Sequence, residues 1–147
     1  MLYIDYLKKL DHCPFCVLKD NTILEENKNA FMTYALAPYH EHHILIIPKR
    51  HSTDFDLLAK EEIMDIVDLQ HKAVYLLEKL GHYDYSLLVR TGDATGKTVK
   101  HTHFHLVPDI TLGYVTNQVD NRTLLKNKEV DELFKEYKKV LSFYNKE

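Results

Sequence analysis

The spacing of hydrophobic and polar positions predicts two amphipathic helices. The longer covers residues 54–80, where apolar side chains recur at intervals of three and four residues. Either Asp54 or Asp56 is suited to cap its start, and Gly81 stands where a helix commonly ends. The second helix covers about 128–144, with apolar residues along one face and charged residues along the other.

Shorter apolar stretches predict strands. Residues 22–36 read as two short strands around a polar turn, and residues 42–51 contain a β-branched run that should stop at Pro48. A proline cannot continue the hydrogen-bond ladder of a central strand. Residues 83–90 and 99–108 predict two further strands.

Composition places these elements in one domain. The chain has 147 residues, of which 45% are hydrophobic, so we expect a single α+β domain over residues 1–147. Short connections favour an antiparallel sheet with helices packed against it, including a short helix over 2–10. Apolar runs fall short of the roughly 20 residues that a membrane helix requires. The net charge of −3 gives no electrostatic reason to expect nucleic acid or membrane as a partner.

The densest chemistry lies in the sequence HTHFH at residues 101–105. Side chains alternate between the two faces of a strand, so His101, His103 and His105 should share one face. Phe104 and Leu106 should then pack into the core on the other. Three crowded imidazoles repel one another when protonated, and we therefore expect at least one to be neutral. A neutral imidazole is a nucleophile, a general base or a metal ligand.

Two reactions suit such a row. In one, the three histidines bind a single catalytic metal; in the other, one histidine attacks phosphorus while its neighbours bind phosphate oxygens. The preceding loop, TGDATGKT at 91–98, contains too few residues between its glycines for a Walker motif and leads into a strand. It still offers Lys97, the Thr98 hydroxyl and backbone N–H groups beside the histidines, which favours phosphate chemistry.

The two cysteines, Cys13 and Cys16, have the C-x-x-C spacing of a zinc site. A thioredoxin-like redox motif is the alternative, although the pair does not end the first strand of a βαβ unit. The N-terminus shows no export signal. We therefore expect a cytoplasmic protein with reduced thiols in place of a disulfide.

The sequence HTHFHLVP resembles the motif of the histidine triad family, with Thr102 as a mild departure from its apolar pattern. CPFC, HHILIIPKRH and YSLLVRTGDATGKTVKHTHFH occur in the family's order and approximate spacing, so the likeness covers roughly residues 13–108. The resemblance implies an antiparallel sheet with helices, a homodimer and a nucleoside phosphate as ligand. Family members hydrolyse or transfer nucleotidyl groups, from nucleoside phosphoramidates or dinucleoside polyphosphates for example.

Specific roles follow from the resemblance. His103 becomes the nucleophile that attacks the α-phosphorus and forms a covalent nucleotidyl-histidine. His105 and Thr98 become hydrogen-bond donors to the phosphate oxygens. In relatives with the cysteine pair, structural zinc is completed by two histidines, which implies a site formed here by Cys13, Cys16, His51 and His101.

Some positions depart from the family pattern. Arg90 stands where nucleotide-binding relatives usually carry asparagine, and Lys97 where many carry glutamine. Both are interpreted as ligands for additional phosphates. The acid that commonly binds the ribose has no clear counterpart after residues 30–34. These departures keep a non-catalytic nucleotide-binding module open as an alternative to an enzyme. Of the other histidines, we expect a structural role for His43 and surface positions for three: His12, His71 and His82.

Overall fold

The structure is a computed structural model that describes residues 1–95, 97, 99–111 and 122–144. Its elements follow the predicted order. The helices are α1 (Tyr3–Lys9), α2 (Lys60–Lys79) and α3 (Asn127–Leu141), and the strands are β1 (Glu25–Glu26), β2 (Ala30–Tyr34), β3 (Ile44–Pro48), β4 (Tyr85–Val89) and β5 (Phe104–Pro108). None of the helices in these ranges is long and apolar enough to cross a membrane.

The five strands form one antiparallel sheet in the order β1-β2-β3-β5-β4. Its helix-covered face carries Met32, Ile46 and Leu106, which pack in one buried cluster with α2 and α3. The opposite face carries a smaller cluster that includes Phe31 and Leu45. The α+β class with helices packed against an antiparallel sheet is confirmed.

The long helix predicted over 54–80 is interrupted at its start. A single 3₁₀ turn occupies Phe55–Leu57, and α2 begins only after Ala59. Neither proposed aspartate caps it: the Glu62 carboxylate accepts the Ala59 N–H at 2.9 Å and pairs with Arg50 at 2.7 Å. This long-range ion pair fixes where the helix starts. Gly81 ends it as predicted, in the left-handed conformation at φ 91°.

The last strand is also shorter than predicted. β5 begins at Phe104, so His101 and His103 lie in the irregular segment before it. The alternation nevertheless holds around the strand, because Phe104 and Leu106 pack in the core beneath α2 while His105 lies on the other face. Thr102 is fully buried, and its hydroxyl finds no hydrogen-bond partner among the described residues.

Candidate active site

His103 is held by its own chain in one tautomer. Its Nδ1 lies 2.9 Å from the carbonyl oxygen of His101. A carbonyl can only accept, so Nδ1 carries the proton and Nε2 keeps its lone pair. Burial lowers the pKa of His103 to about 4, aided by the nearby charges of Lys97 and Arg90. The ring is therefore neutral at pH 7, as a nucleophile requires.

His105 is oriented by His43 from the neighbouring strand β3. The backbone N–H of Tyr39 donates to His43 Nδ1 at 3.1 Å. His43 must then carry its proton on Nε2, which lies 2.9 Å from His105 Nδ1. Because that nitrogen accepts, the proton of His105 resides on Nε2. His105 therefore presents a fixed N–H donor at Nε2, and its ring centroid lies 4.7 Å from that of His103.

Burial keeps this pair neutral. It lowers the pKa of His43 to about 3, and it lowers the pKa of His105 well below its usual range. The charges of Arg122 and Arg90 act in the same direction on both rings. Two neutral imidazoles can keep the hydrogen bond that His43 donates to His105, whereas two protonated rings would repel each other.

The last two histidines of the row face a cavity of about 620 Å³. His103 and His105 line it, and apolar walls come from Phe15, Phe31 and Leu45 among others. The ring of Phe15 meets that of His103 edge-on, with centroids 5.1 Å apart. A largely apolar cavity with a few fixed polar groups is typical of a small-molecule site.

A separate cluster joins the cysteine pair to two histidines. Cys13 Sγ and Cys16 Sγ lie 3.5 and 3.4 Å from His101 Nδ1, and Cys16 Sγ lies 3.2 Å from His51 Nδ1. Ligand atoms from all four residues lie within 4.8 Å of one another. Tetrahedral zinc, with bonds of roughly 2.0–2.3 Å, requires ligand atoms about 3.5 Å apart. The four residues therefore fit a closed zinc site.

The tautomer of His101 agrees with this assignment. Its Nε2 lies 2.7 Å from the carbonyl oxygen of Pro48 and must donate to it, which leaves the Nδ1 lone pair facing the sulfur atoms. Within the described ranges, neither group of possible metal ligands contains all three triad histidines. This arrangement disfavours a catalytic metal shared by His101, His103 and His105.

The remaining predicted ligands occupy different positions. Lys97 Nζ donates to the Thr53 carbonyl oxygen at 2.5 Å. Neither Lys97 nor Arg90 is among the described residues that line the cavity, although both lower the pKa of His103. Thr98 lies outside the described residues.

A second histidine cluster lies away from the row and corrects one prediction. His82 is half-buried, not a surface residue, and its Nδ1 lies 2.5 Å from Asp109 Oδ2. His40 approaches the same carboxylate at 3.9 Å. His12 and His71 are exposed, as predicted.

Two contributions to the site escaped sequence reasoning. His43 was assigned a structural role, but its position as the partner of His105 depends on the β3–β5 pairing. Arg122 lines the cavity from a segment far along the chain, and no motif surrounds it. Covariation between these positions is the signal that would have found them.

The HIT domain family model matches residues 18–112, which contain the histidine row, His43 and His51. The chain belongs to the HIT family. Structure and motif agree on this, because the matched region includes the sheet from β1 to β5 and the interrupted helix between β3 and β4.

Two curated HIT relatives are similar over most of the chain. An uncharacterized HIT-like protein of Methanocaldococcus jannaschii is 28% identical over 86% of this chain and 98% of its own length. An adenosine 5'-monophosphoramidase of Schizosaccharomyces pombe is 30% identical over 65% of this chain and 73% of its own.

A solved HIT-fold structure covers nearly the whole chain. The Plasmodium falciparum diadenosine triphosphate hydrolase superposes with a TM-score of 0.69 and 22% identity, over 99% of this chain and 97% of that one. At this identity the likeness establishes the fold, and the activity of the protein has to be argued from its site.

Proposed function

We propose that the protein is a nucleotidyl hydrolase or transferase that acts on the α-phosphate of a nucleoside phosphoramidate or dinucleoside polyphosphate. The observation that carries the proposal is the paired tautomers of the row. His103 presents an unprotonated Nε2, and His105 beside it presents an N–H donor, on rings that line one cavity. Of the similar proteins named above, the Schizosaccharomyces pombe relative is an adenosine 5'-monophosphoramidase, which supports the first of these substrate classes.

The reaction proceeds in two displacements. His103 Nε2 forms a bond to the α-phosphorus while the bond from phosphorus to the leaving amine or phosphate breaks. Water then forms a new P–O bond and loses a proton, which balances the proton that a leaving amine takes up in the first step; the P–N bond to His103 breaks, and the nucleotide leaves. Splitting one displacement into two lowers each barrier. His105 donates to a phosphate oxygen, and Thr98 is proposed for the same task.

The tautomer of His103 favours both steps. After attack the ring carries Nε2–P and Nδ1–H, so it becomes cationic and a good leaving group. The carbonyl oxygen of His101 accepts from that Nδ1–H at 2.9 Å and stabilises the positive charge as it develops. Arg90 and Lys97 are proposed to bind additional phosphates, since their charges reach His103.

The test is a panel of adenosine and guanosine phosphoramidates and dinucleoside polyphosphates, with product analysis, on wild type and His103→Ala. We expect turnover of at least one class by wild type and its loss in the variant, with nucleotide binding retained. Binding without turnover across the whole panel would favour the non-catalytic module. The apolar wall after β2, where Ala35 and Ala37 line the cavity, is the observation behind that alternative.

We further propose one structural zinc held by Cys13, Cys16, His51 and His101. When bound, zinc would supply cross-links between the N-terminal segment and the sheet, not an electrophile for the reaction. Its thiolate ligands require a reducing environment, which supports a cytoplasmic location. Elemental analysis should find about one zinc per chain. Metal-free protein with unchanged thermal stability would refute the assignment.

A homodimer is proposed through the exposed edge of the sheet. β4 is an edge strand, and its Tyr85 and Leu87 are 45% and 48% exposed. Met64 and Val67 add exposed apolar surface on α2. Such a face favours association of two copies. Sedimentation equilibrium should give twice the chain mass for wild type and the chain mass for Leu87→Lys; equal masses for the two proteins would contradict this interface.

A further inference from the structure

We propose that Phe15 is a positioning residue for His103, and that Cys13 and Cys16 make this positioning depend on the redox state of their thiols. As thiolates, the cysteines attach the turn that carries Phe15 to the histidines beside the candidate active site. As a disulfide, they release that turn. This inference rests on the proposed function and on the proposed zinc site, and it goes beyond both because it links the zinc ligands to the nucleophile.

Phe15 lies between the nucleophile and the proposed zinc ligands. Its ring meets the ring of His103 with centroids 5.1 Å apart and planes at 61°, and it meets the ring of His101 at 5.9 Å and 86°. Phe15 lines the cavity beside His103, whose side chain belongs to a residue that is 6% exposed. Because aromatic rings prefer such edge-to-face geometry, Phe15 restricts the rotation of the His103 ring.

Rotation of the His103 ring would break the hydrogen bond that fixes its tautomer. That bond joins His103 Nδ1 to the carbonyl oxygen of His101 at 2.9 Å. The backbone at this carbonyl is anchored independently, because the N–H of Thr102 donates to the Ser52 carbonyl oxygen at 2.7 Å. The ring is therefore the partner that can move, and Phe15 restrains it.

The two cysteines attach the turn that carries Phe15. The N–H groups of Cys16 and of the residue after it both donate to the Cys13 carbonyl oxygen at 3.2 Å, so these bonds close the turn without joining it to the sheet. Among the described residues, the polar contacts that join the turn to the rest of the fold are those of the two sulfur atoms with His51 and His101, at 3.2 to 3.5 Å.

Apolar packing alone does not set the direction of the Phe15 ring. Phe15 packs against the smaller cluster that includes Phe31 and Leu45, which favours burial of the ring but is non-directional. The flanking cysteines, each within two positions of Phe15, supply the direction. Loss of their contacts should therefore shift the ring while its burial is kept, so we expect catalytic geometry to be lost before the fold is.

The cysteine pair is placed to form a disulfide. Both sulfur atoms contact the same nitrogen, His101 Nδ1, and Cys16 is exposed to an oxidant in solution. With hydrogen peroxide, one S–S bond forms and the O–O bond breaks. The two thiolates give up two electrons, and two protons from solvent convert the peroxide into two water molecules. The turn is then detached from His51 and His101.

The first measurement compares variants of the reduced protein. Phe15→Ala should lower kcat on the order of tenfold, because the nucleophile loses its orientation, and Phe15→Leu should lower it less. Ile23→Ala is the matched control: Ile23 packs against the same cluster but is not among the described residues that line the cavity, so kcat should stay within a few-fold. Thermal melting should establish that each variant is folded.

Nuclear magnetic resonance gives a readout that does not depend on turnover. The ring ¹⁵N chemical shifts of His103, assigned by comparison with His103→Ala, should show the Nδ1–H tautomer alone in reduced wild type. They should show a mixture of tautomers in Phe15→Ala, since its ring is no longer restrained.

The second measurement oxidises wild type with hydrogen peroxide. Thiol counting and elemental analysis should find one disulfide and the release of zinc. The kcat should fall on the order of tenfold while affinity for adenosine monophosphate is kept, and a dithiol reductant with added zinc should restore it. Cys16→His keeps a zinc ligand but cannot form the disulfide, so its kcat should resist peroxide.

The outcomes separate this inference from the proposed function. If Phe15→Ala changes KM alone, with kcat and the His103 spectrum as in wild type, the role of Phe15 is refuted. Redox control is refuted if peroxide forms no disulfide, or if it lowers kcat equally in wild type and Cys16→His. If wild type turns over no substrate, the proposed function fails; the His103 spectrum then supports the inference if oxidation mixes the tautomers and refutes it if the spectrum is unchanged.

Discussion

Two neighbouring histidines, His42 and His43, show how the same residue type takes on two chemistries. Both are almost fully buried. His43 faces the cavity and contacts His105, whereas His42 faces the helices and its Nδ1 lies 2.7 Å from the Tyr137 hydroxyl of α3. Because consecutive side chains near a strand alternate between faces, one position along the chain separates the candidate active site from the helical layer.

The partners on each side differ in charge. Around His43 the nearby groups are imidazoles and the cations Arg122 and Arg90, which keep its ring neutral. Around His42 the ring of His82 lies 5.1 Å away, and His82 contacts the Asp109 carboxylate. Burial lowers the pKa of His42 as well, but the carboxylates of Glu41 and Glu136 act in the opposite direction. The comparison teaches that the row suits nucleophilic chemistry because no acid among the described residues lies beside it.

The largest difference in turnover is expected between two variants that each remove one histidine, one from the row and one from the cluster around Asp109. His103→Ala should lower turnover by at least about a thousandfold, because the covalent intermediate cannot form. His82→Ala, which removes a less buried histidine from the other cluster, should retain turnover within a few-fold. Steady-state kinetics on the same phosphoramidate or dinucleoside polyphosphate measure both. Comparable losses in the two variants would remove the distinction between the clusters.

A smaller effect is expected at His43. His43→Leu should lower kcat about tenfold to a hundredfold, since His105 loses the donor that fixes its tautomer and orientation. His43→Gln should recover part of the loss, because an amide can accept from Tyr39 N–H and donate to His105 at once. Measurement of kcat and KM for both variants separates positioning from packing. Equal kcat values for His43→Leu and His43→Gln would refute the role of His43 as the donor that orients His105.

Acid should destabilise the protein through the inner histidines. Their pKa values in the folded state are depressed, to about 4 for His103 and about 3 for His43. In the unfolded chain these histidines bind protons as the pH falls through about 6.5, whereas in the folded chain they stay unprotonated at that pH. Their contribution to stability is therefore complete above roughly pH 6.5 and is lost as the pH falls towards the folded values.

Each such histidine should reduce the free energy of unfolding by up to about 1.4 kcal/mol per pH unit in that window. Urea denaturation between pH 7 and 4.5 measures the slope. His43→Gln removes one of the titrating groups, so its slope should be less steep than that of wild type by a comparable amount. Identical slopes would show that His43 takes up its proton over the same pH range in the folded and unfolded chains, and would contradict a depressed pKa.

The smallest effect is expected at the carboxylate of the other cluster. Asp109 adopts φ 63° and is partly exposed, with a side-chain exposure of 41%. Asp109→Asn tolerates the same backbone conformation and removes the charge. We expect it to cost no more than about 1 kcal/mol in denaturation, with unchanged turnover, since partly exposed ion pairs contribute little. A large loss of activity would place this cluster in the reaction.

Sequence patterns predicted the parts of the molecule that local rules control. Strand alternation placed Phe104 and Leu106 in the core, and the end of β3 at Pro48 followed from the missing N–H of proline. The break before α2 was not predictable, because it depends on Arg50 pairing with Glu62, twelve positions further along the chain, once the connection between them has folded. The partner of His82 was missed for the same reason: Asp109 reaches it only after β4 and β5 pair.

For the candidate site, the sequence indicated the types of residue but not the tautomer of each histidine. The row and the C-x-x-C pair indicated nucleophile and ligand chemistry directly. Which ring nitrogen carries each proton depends on the carbonyl oxygens of His101 and Pro48 and on the N–H of Tyr39, whose positions only the folded chain fixes. The cation inside the cavity, Arg122, likewise comes from a segment without a motif.

The stereochemical course at the α-phosphorus tests the central claim most directly. An α-thiophosphate substrate of known configuration, hydrolysed in ¹⁸O-labelled water, reports whether one or two in-line displacements occur. Each displacement inverts the phosphorus, so attack by His103 followed by attack of water predicts overall retention of configuration. Net inversion would mean that water attacks the substrate directly, and it would contradict the nucleophilic role of His103.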